Sequence, residues 1–311
     1  MSLAISVILP THNPHRGRLA RTLAGLRAQT LAPAQWEIVL VDNASSPALS
    51  TAELGDASGN FRIVRESQLG LTAARRRGVA EARGEFIVFV DDDNVLASDF
   101  LAQTLAFFAA HSRVGALGGP VVPEFEAPRP AWWQTEFEHL LACRDLGPET
   151  QLAAALFDPK TGRNEYPLCA PVGAGMALRR AALDAWLADA TAAALPDRQG
   201  ASLSSSGDND IVLWVIRSGW HVAYSPALML THLIPAGRLE ADYLARLNRG
   251  IARSWVQVLH KHDANPWPPI PAWSVPLRKL KAWFVYRAWS GPVARIRWQG
   301  ACGHFEGRVL R

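Results

Sequence analysis

Residues 85–94 read Glu85-Phe86-Ile87-Val88-Phe89-Val90-Asp91-Asp92-Asp93-Asn94, an unbroken apolar run that ends on three adjacent carboxylates. A run of β-branched and aromatic residues with no polar alternation predicts a strand buried on both faces. Such strands belong to parallel sheets covered by helices. The sequence before it agrees. Apolar runs at 4–9 (AISVIL), 37–41 and 61–65 predict three earlier strands, and Leu19, Leu23 and Leu26 predict a helix over 16–29. Residues 72–82 suit a second helix, and Ser98 or Asp99 can cap a third that runs to about His111. The expected fold is therefore α/β, with a mostly parallel central sheet and flanking helices.

In an open α/β sheet, ligands bind outside the carboxyl ends of the strands. Here those ends are polar: Pro10-Thr11-His12-Asn13, Asp42-Asn43-Ala44-Ser45 and Asp91-Asp92-Asp93-Asn94 fall at one edge. Three adjacent carboxylates repel one another, and a bound Mg2+ or Mn2+ completed by phosphate oxygens relieves that repulsion. The same triplet also reads as a solvated turn that caps the following helix, or as the DxD of a haloacid-dehalogenase type of phosphotransferase. Beyond residue 125 the alternation breaks. A Pro-containing loop at 124–130 leads to Trp132 and Trp133, which suit either a sugar-stacking wall or packing onto the core. A strand over 172–178, a helix over 179–192 and a helix over 208–217 follow, then strand-like segments at 221–224 and 228–230.

The order and spacing of four segments carry a resemblance. They are Ile5-Ser6-Val7-Ile8-Leu9-Pro10-Thr11-His12-Asn13, residues 36–45 (WEIVLVDNAS), residues 70–78 (GLTAARRRG) and residues 84–93 (GEFIVFVDDD). Together with 173–180 (GAGMALRR) and 206–219, they resemble the family 2 glycosyltransferases of GT-A fold, which are Rossmann-like and inverting. The resemblance covers roughly residues 3–235. It implies a nucleotide-binding half over 1–125 and an acceptor and catalytic half over 126–235, with 236–311 as a helical C-terminal extension. It also implies transfer of a sugar from a UDP- or dTDP-sugar donor to a saccharide or lipid-linked acceptor, with Mg2+ or Mn2+.

Site residues follow from the same resemblance. Pro10, Thr11 and Asn13 would frame the nucleobase, and Asp42 would accept a hydrogen bond from its ring N–H, although Asp42 also reads as an N-cap or Asx-turn residue. Gly70 and Arg75 would lie near the diphosphate, although Arg76 stands where the family usually has Asn. Asp91 would face the ribose or the metal, Asp93 would ligate the metal, and Asp92 would lie on the donor side. Gly175, in the Gly173-Ala174-Gly175 loop, would admit the donor sugar. His232 would add a metal or phosphate contact. Asp208 would be the general base, since the usual acidic pair reads Gly207-Asp208 here, and Asp210 is a second acid facing the acceptor. A non-catalytic nucleotide-sugar-binding protein of the same fold is the competing reading.

Composition bounds the rest. The 311-residue chain is 49% hydrophobic and 19% charged, enough apolar sequence for a sizeable core. The three cysteines stand apart, with no CxxC pair, so neither a disulfide framework nor a zinc site is expected and a reducing compartment fits. The N-terminal residues lack a signal-peptide pattern, and no stretch of about 18 apolar residues suggests a membrane span. A cytoplasmic protein is expected. Residues 236–311 carry 13 Lys and Arg against 4 Asp and Glu, and they hold six of the 12 tryptophans. Helical patterning over 238–260 predicts packing on the catalytic domain. Basic and aromatic residues over 273–298 suit a helix on anionic lipid at the cytoplasmic membrane face, an ordinary packed helix or a dimer contact. No nucleic-acid-recognition motif is present.

Overall fold

A computed structural model describes residues 3–54, 60–158, 162–191 and 206–309. Its first strands are β1 (Ile5–Thr11), β2 (Trp36–Asn43), β3 (Phe61–Glu66) and β4 (Phe86–Phe89), which pair parallel with one another. Next come β5 (Asn94–Leu96), β6 (Val114–Gly118), β7 (Val121–Phe125), β8 (Gln151–Ala153), a ribbon of β9 (Phe157–Asp158) and β10 (Arg163–Asn164), β11 (Ala177–Arg179), β12 (His221–Tyr224) and β13 (Leu230–Ile234). The main sheet has the order β3-β2-β1-β4-β11-β6-β12-β8, and β5-β13-β7 form a smaller sheet. The fold is mixed α/β rather than wholly parallel, because β11 enters antiparallel to both β4 and β6.

Period-two alternation distributes the core. Ile5, Val7 and Leu9 of β1 with Phe86 and Val88 of β4 face one side, while Ile8, Ile87 and Phe89 face the other. The first side is covered by α1 (Arg16–Arg27), through Leu19, Leu23 and Leu26, and by residues beyond the sheet described below. Helix α2 (Thr51–Leu54) is a single turn between β2 and β3 in the chain. Helix α3 (Leu71–Glu81) covers the second side with Ala74 and Val79, and α4 (Phe100–Ala110) adds Phe100 and Phe108 to the first.

The segment 179–192, expected as one helix, is instead the end of β11, a 3-10 turn (Arg180–Leu183) and the short α5 (Asp184–Ala188), with residue 192 outside the described region. Pairing of Arg179 with Phe86 of β4 keeps the start of this stretch extended. Helix α6 (Gly207–Arg217) buries Ile211, Val212, Val215 and Ile216 against the second side. The acidic triplet caps no helix. It turns the chain from β4 into β5, and α4 begins only at Phe100.

Helices α7 (Ala241–Lys261), α8 (Val275–Val285) and α9 (Pro292–Gly307) complete the chain. Leu244, Ala245 and Leu247 of α7 and Ile296 of α9 join the first core, so these helices share the sheet's hydrophobic centre. Helix α9 approaches α7 through glycine: a Cβ at Gly303 would lie 2.0 Å from the carbonyl oxygen of Arg249.

Candidate active site

The strand ends make one wall of a cleft of about 250 Å3. Pro10, Thr11 and His12 come from β1, Asn43 from β2, and Asp91, Asp92 and Asp93 from the turn after β4. The rest of the lining comes from the later chain: Gly173 and Ala174 before β11, Asp208 in the first turn of α6, His232 on β13 and Arg238 in the 3-10 turn Ala236–Leu239.

The three aspartates have different surroundings. Asp91 is partly exposed, with Oδ1 3.5 Å from Nη2 of Arg75. Arg75 is buried over the ring of Phe89, and its Nε has no hydrogen-bond partner among the described residues. Asp92 accepts a hydrogen bond from the Thr11 hydroxyl. Burial, and next the charge of Asp93, push its carboxyl up to about 6 against that hydrogen bond. Asp93 is the most enclosed by partners. Its Oδ1 accepts from Asn94 Nδ2 at 3.1 Å and lies 3.4 Å from His232 Nε2, and its Oδ2 lies 3.1 Å from Nη2 of Arg238. Backbone pairing fixes this geometry, since His232 sits opposite Asn94 across β13 and β5.

Arg238 also contacts His232: its Nη1 lies 3.1 Å from His232 Nε2, and the ring's Nδ1 lies 3.9 Å from Cys143 Sγ. Burial lowers the pKa of Arg238, but Asp93 and its acidic neighbours outweigh that, and the guanidinium stays charged.

The donor set of Asp93 and His232 fits a divalent cation. Two ligands in cis positions around Mg2+ or Mn2+ stand about 3 Å apart, close to the 3.4 Å between Asp93 Oδ1 and His232 Nε2. No cluster of three or more His, Cys, Asp or Glu in ligating position occurs among the described residues. A cation here would therefore take its remaining ligands from substrate oxygens and water, which is how Mg2+ usually binds beside phosphates.

Asp208 faces this centre across the cleft. Its Oδ2 accepts from the backbone N–H of Gly173 at 3.0 Å and its Oδ1 from that of Asn209 at 2.9 Å.

Several residues singled out in the sequence lie elsewhere. Asp42 is 1% exposed and does not line the cleft. It closes its own turn, accepting from Ser45 N at 2.9 Å, Leu49 N at 3.2 Å and Arg65 Nη1 at 2.5 Å. Burial raises its pKa, but the hydrogen bonds from Ser45 and Leu49 and the charge of Arg65 prevail and hold it below the usual aspartate value. Asn13, at φ 46°, joins the β1 and β2 loops by bonds to Ser45 and Ser46. Asp210 points away from the cleft into an ion cluster with Lys261 Nζ at 2.7 Å and His262 Nε2 at 2.8 Å. Trp132 and Trp133 pack edge-on against Phe137, away from the acidic turn. Gly175 serves packing: its φ is 69°, and a Cβ there would lie 2.4 Å from Leu230. Gly173 is the glycine of that loop that lines the cleft, where a Cβ would lie 2.8 Å from Nη2 of Arg75.

Three contributors went unnoticed in the sequence. Asn43 clamps the 66–70 loop by donating to Glu66 O and Gln68 O and accepting from Gly70 N. It fixes Gly70, whose φ of 144° few other residues adopt, and its place beside Asp42 was the available signal. His12, bonded to Asn43 O at 2.7 Å, had a similar one. Arg238 had none, since only the tertiary fold brings it to Asp93.

The model of the family "Glycosyl transferase family 2" matches residues 6–186, which hold Asp42 and the acidic turn but not Asp208, His232 or Arg238. Glucosyl-dolichyl phosphate glucuronosyltransferase of Haloferax volcanii is 24% identical over 146 residues, and the match spans 47% of each chain. The chain thus spans about half the length of that relative, and 29% of the glycosyltransferase EpsH of Bacillus subtilis, to which it is 31% identical over 104 residues. Among solved structures, residues 1–349 of TarS from Staphylococcus aureus superpose with a TM-score of 0.51 at 16% identity, covering 97% of this chain and 89% of that one. GalNAc-T7 with UDP, GalNAc and Mn2+ gives 0.55 at 16% identity, covering 98% and 55%. These two likenesses speak for the fold, and the family match covers more than half of the chain. The chain belongs to glycosyl transferase family 2.

Proposed function

We propose that the protein is an inverting glycosyltransferase that moves a sugar from a UDP- or dTDP-sugar to a glycan or lipid-linked acceptor, with a divalent cation as cofactor. The observation that carries this reading is the meeting, in one cleft, of the Asp93–His232 pair with Asp208 from the other half of the chain. In this reading Asp93 and His232 hold Mg2+ or Mn2+, and the bound cation supplies Lewis-acid neutralisation of the leaving diphosphate. Arg75 and Arg238 add fixed positive charge beside it. Asp208 takes the proton of the acceptor hydroxyl as that oxygen bonds to the anomeric carbon, and the bond from that carbon to the diphosphate oxygen breaks on the opposite face. Residues 1–235 supply the donor and base groups, and the extension from 236 onward adds Arg238. The cysteines are free, buried thiols, which suits a reducing compartment such as the cytoplasm.

The test measures donor hydrolysis and transfer across UDP-, dTDP- and GDP-sugars, with Mg2+, with Mn2+ and with EDTA. The reading expects metal-dependent turnover with a UDP- or dTDP-sugar, and loss of transfer with retained nucleotide binding in Asp208→Asn. Nucleotide binding without turnover on any donor and acceptor would instead make the protein a non-catalytic binder of nucleotide sugars.

A further inference from the structure

Helix α8 has two apolar faces, and the fold uses only one. Val275 and Ala282 are buried, and Trp283 meets Trp298 of α9 edge-on at 4.8 Å, while Trp298 Nε1 donates to the Lys279 carbonyl. On the opposite side Leu277, Leu280 and Phe284 form a stripe at helical spacing, extended by Trp273 before the helix and Trp289 after it. All five side chains are more than half exposed. Basic residues border the stripe. Arg278, Lys281 and Arg287 are exposed, and residues 273–298 contain six Lys or Arg and no Asp or Glu.

We propose that this face of α8, with its flanking tryptophans, docks the protein on a bilayer that contains anionic lipid. Tryptophan is enriched at membrane–water interfaces, and an apolar stripe edged by cations suits a helix lying in the headgroup region. No helix among the described residues is long and apolar enough to cross a membrane, and α8 with 11 residues spans only about 16 Å. The contact is therefore in the plane of the surface. A second copy of the chain fits less well: a two-fold contact would bring this acid-free basic segment against itself, whereas anionic headgroups neutralise it.

The experiment is co-sedimentation of the full chain with phosphatidylcholine vesicles and with vesicles that also contain phosphatidylglycerol, at low and physiological salt. Binding is expected to the anionic vesicles, weaker at the higher salt, with a blue shift of tryptophan emission. Leu280→Gln/Phe284→Gln should lower the partition coefficient at least about tenfold, and Lys281→Glu/Arg287→Glu by a similar factor. Because these side chains are exposed, thermal melting and nucleotide binding should match the parent, and both are read alongside. No sedimentation with either vesicle, or equal loss of binding when exposed lysines or arginines outside 273–298 are reversed, would overturn the proposal. So would dimers in analytical ultracentrifugation that the Leu280 and Phe284 changes dissolve, because the face would then belong to a second copy. The outcome is independent of the transferase reading, which is scored by turnover.

Discussion

Arg238 stands with one guanidinium nitrogen 3.1 Å from Asp93 and the other 3.1 Å from His232 Nε2. A protein cation thus lies against the two groups that would ligate a metal cation, and two positive charges a few ångströms apart oppose each other. Arg238→Gln should therefore bind Mn2+ about tenfold more tightly in the absence of nucleotide, measured by calorimetric titration. The same variant should transfer sugar more slowly, because the leaving diphosphate loses a counter-charge. Unchanged Mn2+ affinity would show that Arg238 already stands aside from the site.

Asp210 should report on folding rather than on acceptor use. Its buried carboxylate holds Lys261 and His262, and Lys261 also bonds Asp189 Oδ2 at 2.6 Å, so the cluster ties α6 and the segment before it to the end of α7. Asp210→Asn removes one of the two carboxylates that hold Lys261 and the buried partner of His262 Nε2, and is expected to cost about 1–3 kcal/mol, seen as a fall in denaturation midpoint. The acceptor KM of the surviving folded protein should stay within about twofold. A raised acceptor KM at parental stability would return Asp210 to the site.

Asp42 makes a pH-dependent contribution. Its carboxyl titrates below the unfolded aspartate value, so its stabilisation is present above about pH 4 and is lost as pH falls through the folded pKa. Asp42→Asn should lower stability at pH 7 by about 1–2 kcal/mol, and the gap between variant and parent should close as pH approaches 3. Urea denaturation at the two pH values checks this. A constant gap would mean that the turn depends on side-chain shape and not on charge.

The sequence made the donor half of this architecture readable because its strands are buried on both faces and end in polar junctions. The runs at 5–9, 37–41 and 86–90 admit hardly any other structure, and Asp91–Asp93 followed as the mouth of the cleft. What stayed hidden depends on contacts that leave no periodic trace. Ala177 and Leu178 pair on both sides within the sheet, and nothing in the strand-like run at 172–178 marks that it enters antiparallel to both neighbours. Trp132 and Trp133 carry no mark that separates packing from sugar binding, and only their contacts with Phe137 place them in the core. Arg238 reaches Asp93 across 145 positions of sequence. Asp42 reads from its position as a strand-end carboxylate open to a ligand or to its own turn, and only the hydrogen bonds from Ser45 and Leu49 decide for the turn.

The two glycines of the Gly173-Ala174-Gly175 loop should separate structure from chemistry. Gly175 adopts φ 69°, and a Cβ there would lie 2.4 Å from Leu230, so alanine meets both backbone strain and a core clash. Gly175→Ala should cost about 2 kcal/mol or more in denaturant unfolding. Gly173 has an ordinary φ, and a Cβ there would meet the far end of Arg75 at 2.8 Å, which can swing aside, and less closely Asp208 Cβ at 3.4 Å. Gly173→Ala should fold with near-parental stability yet displace the guanidinium from Asp91, raising the donor KM several-fold and weakening nucleoside diphosphate binding to match. Parental donor kinetics in a folded Gly173→Ala would mean that Arg75 serves the fold alone.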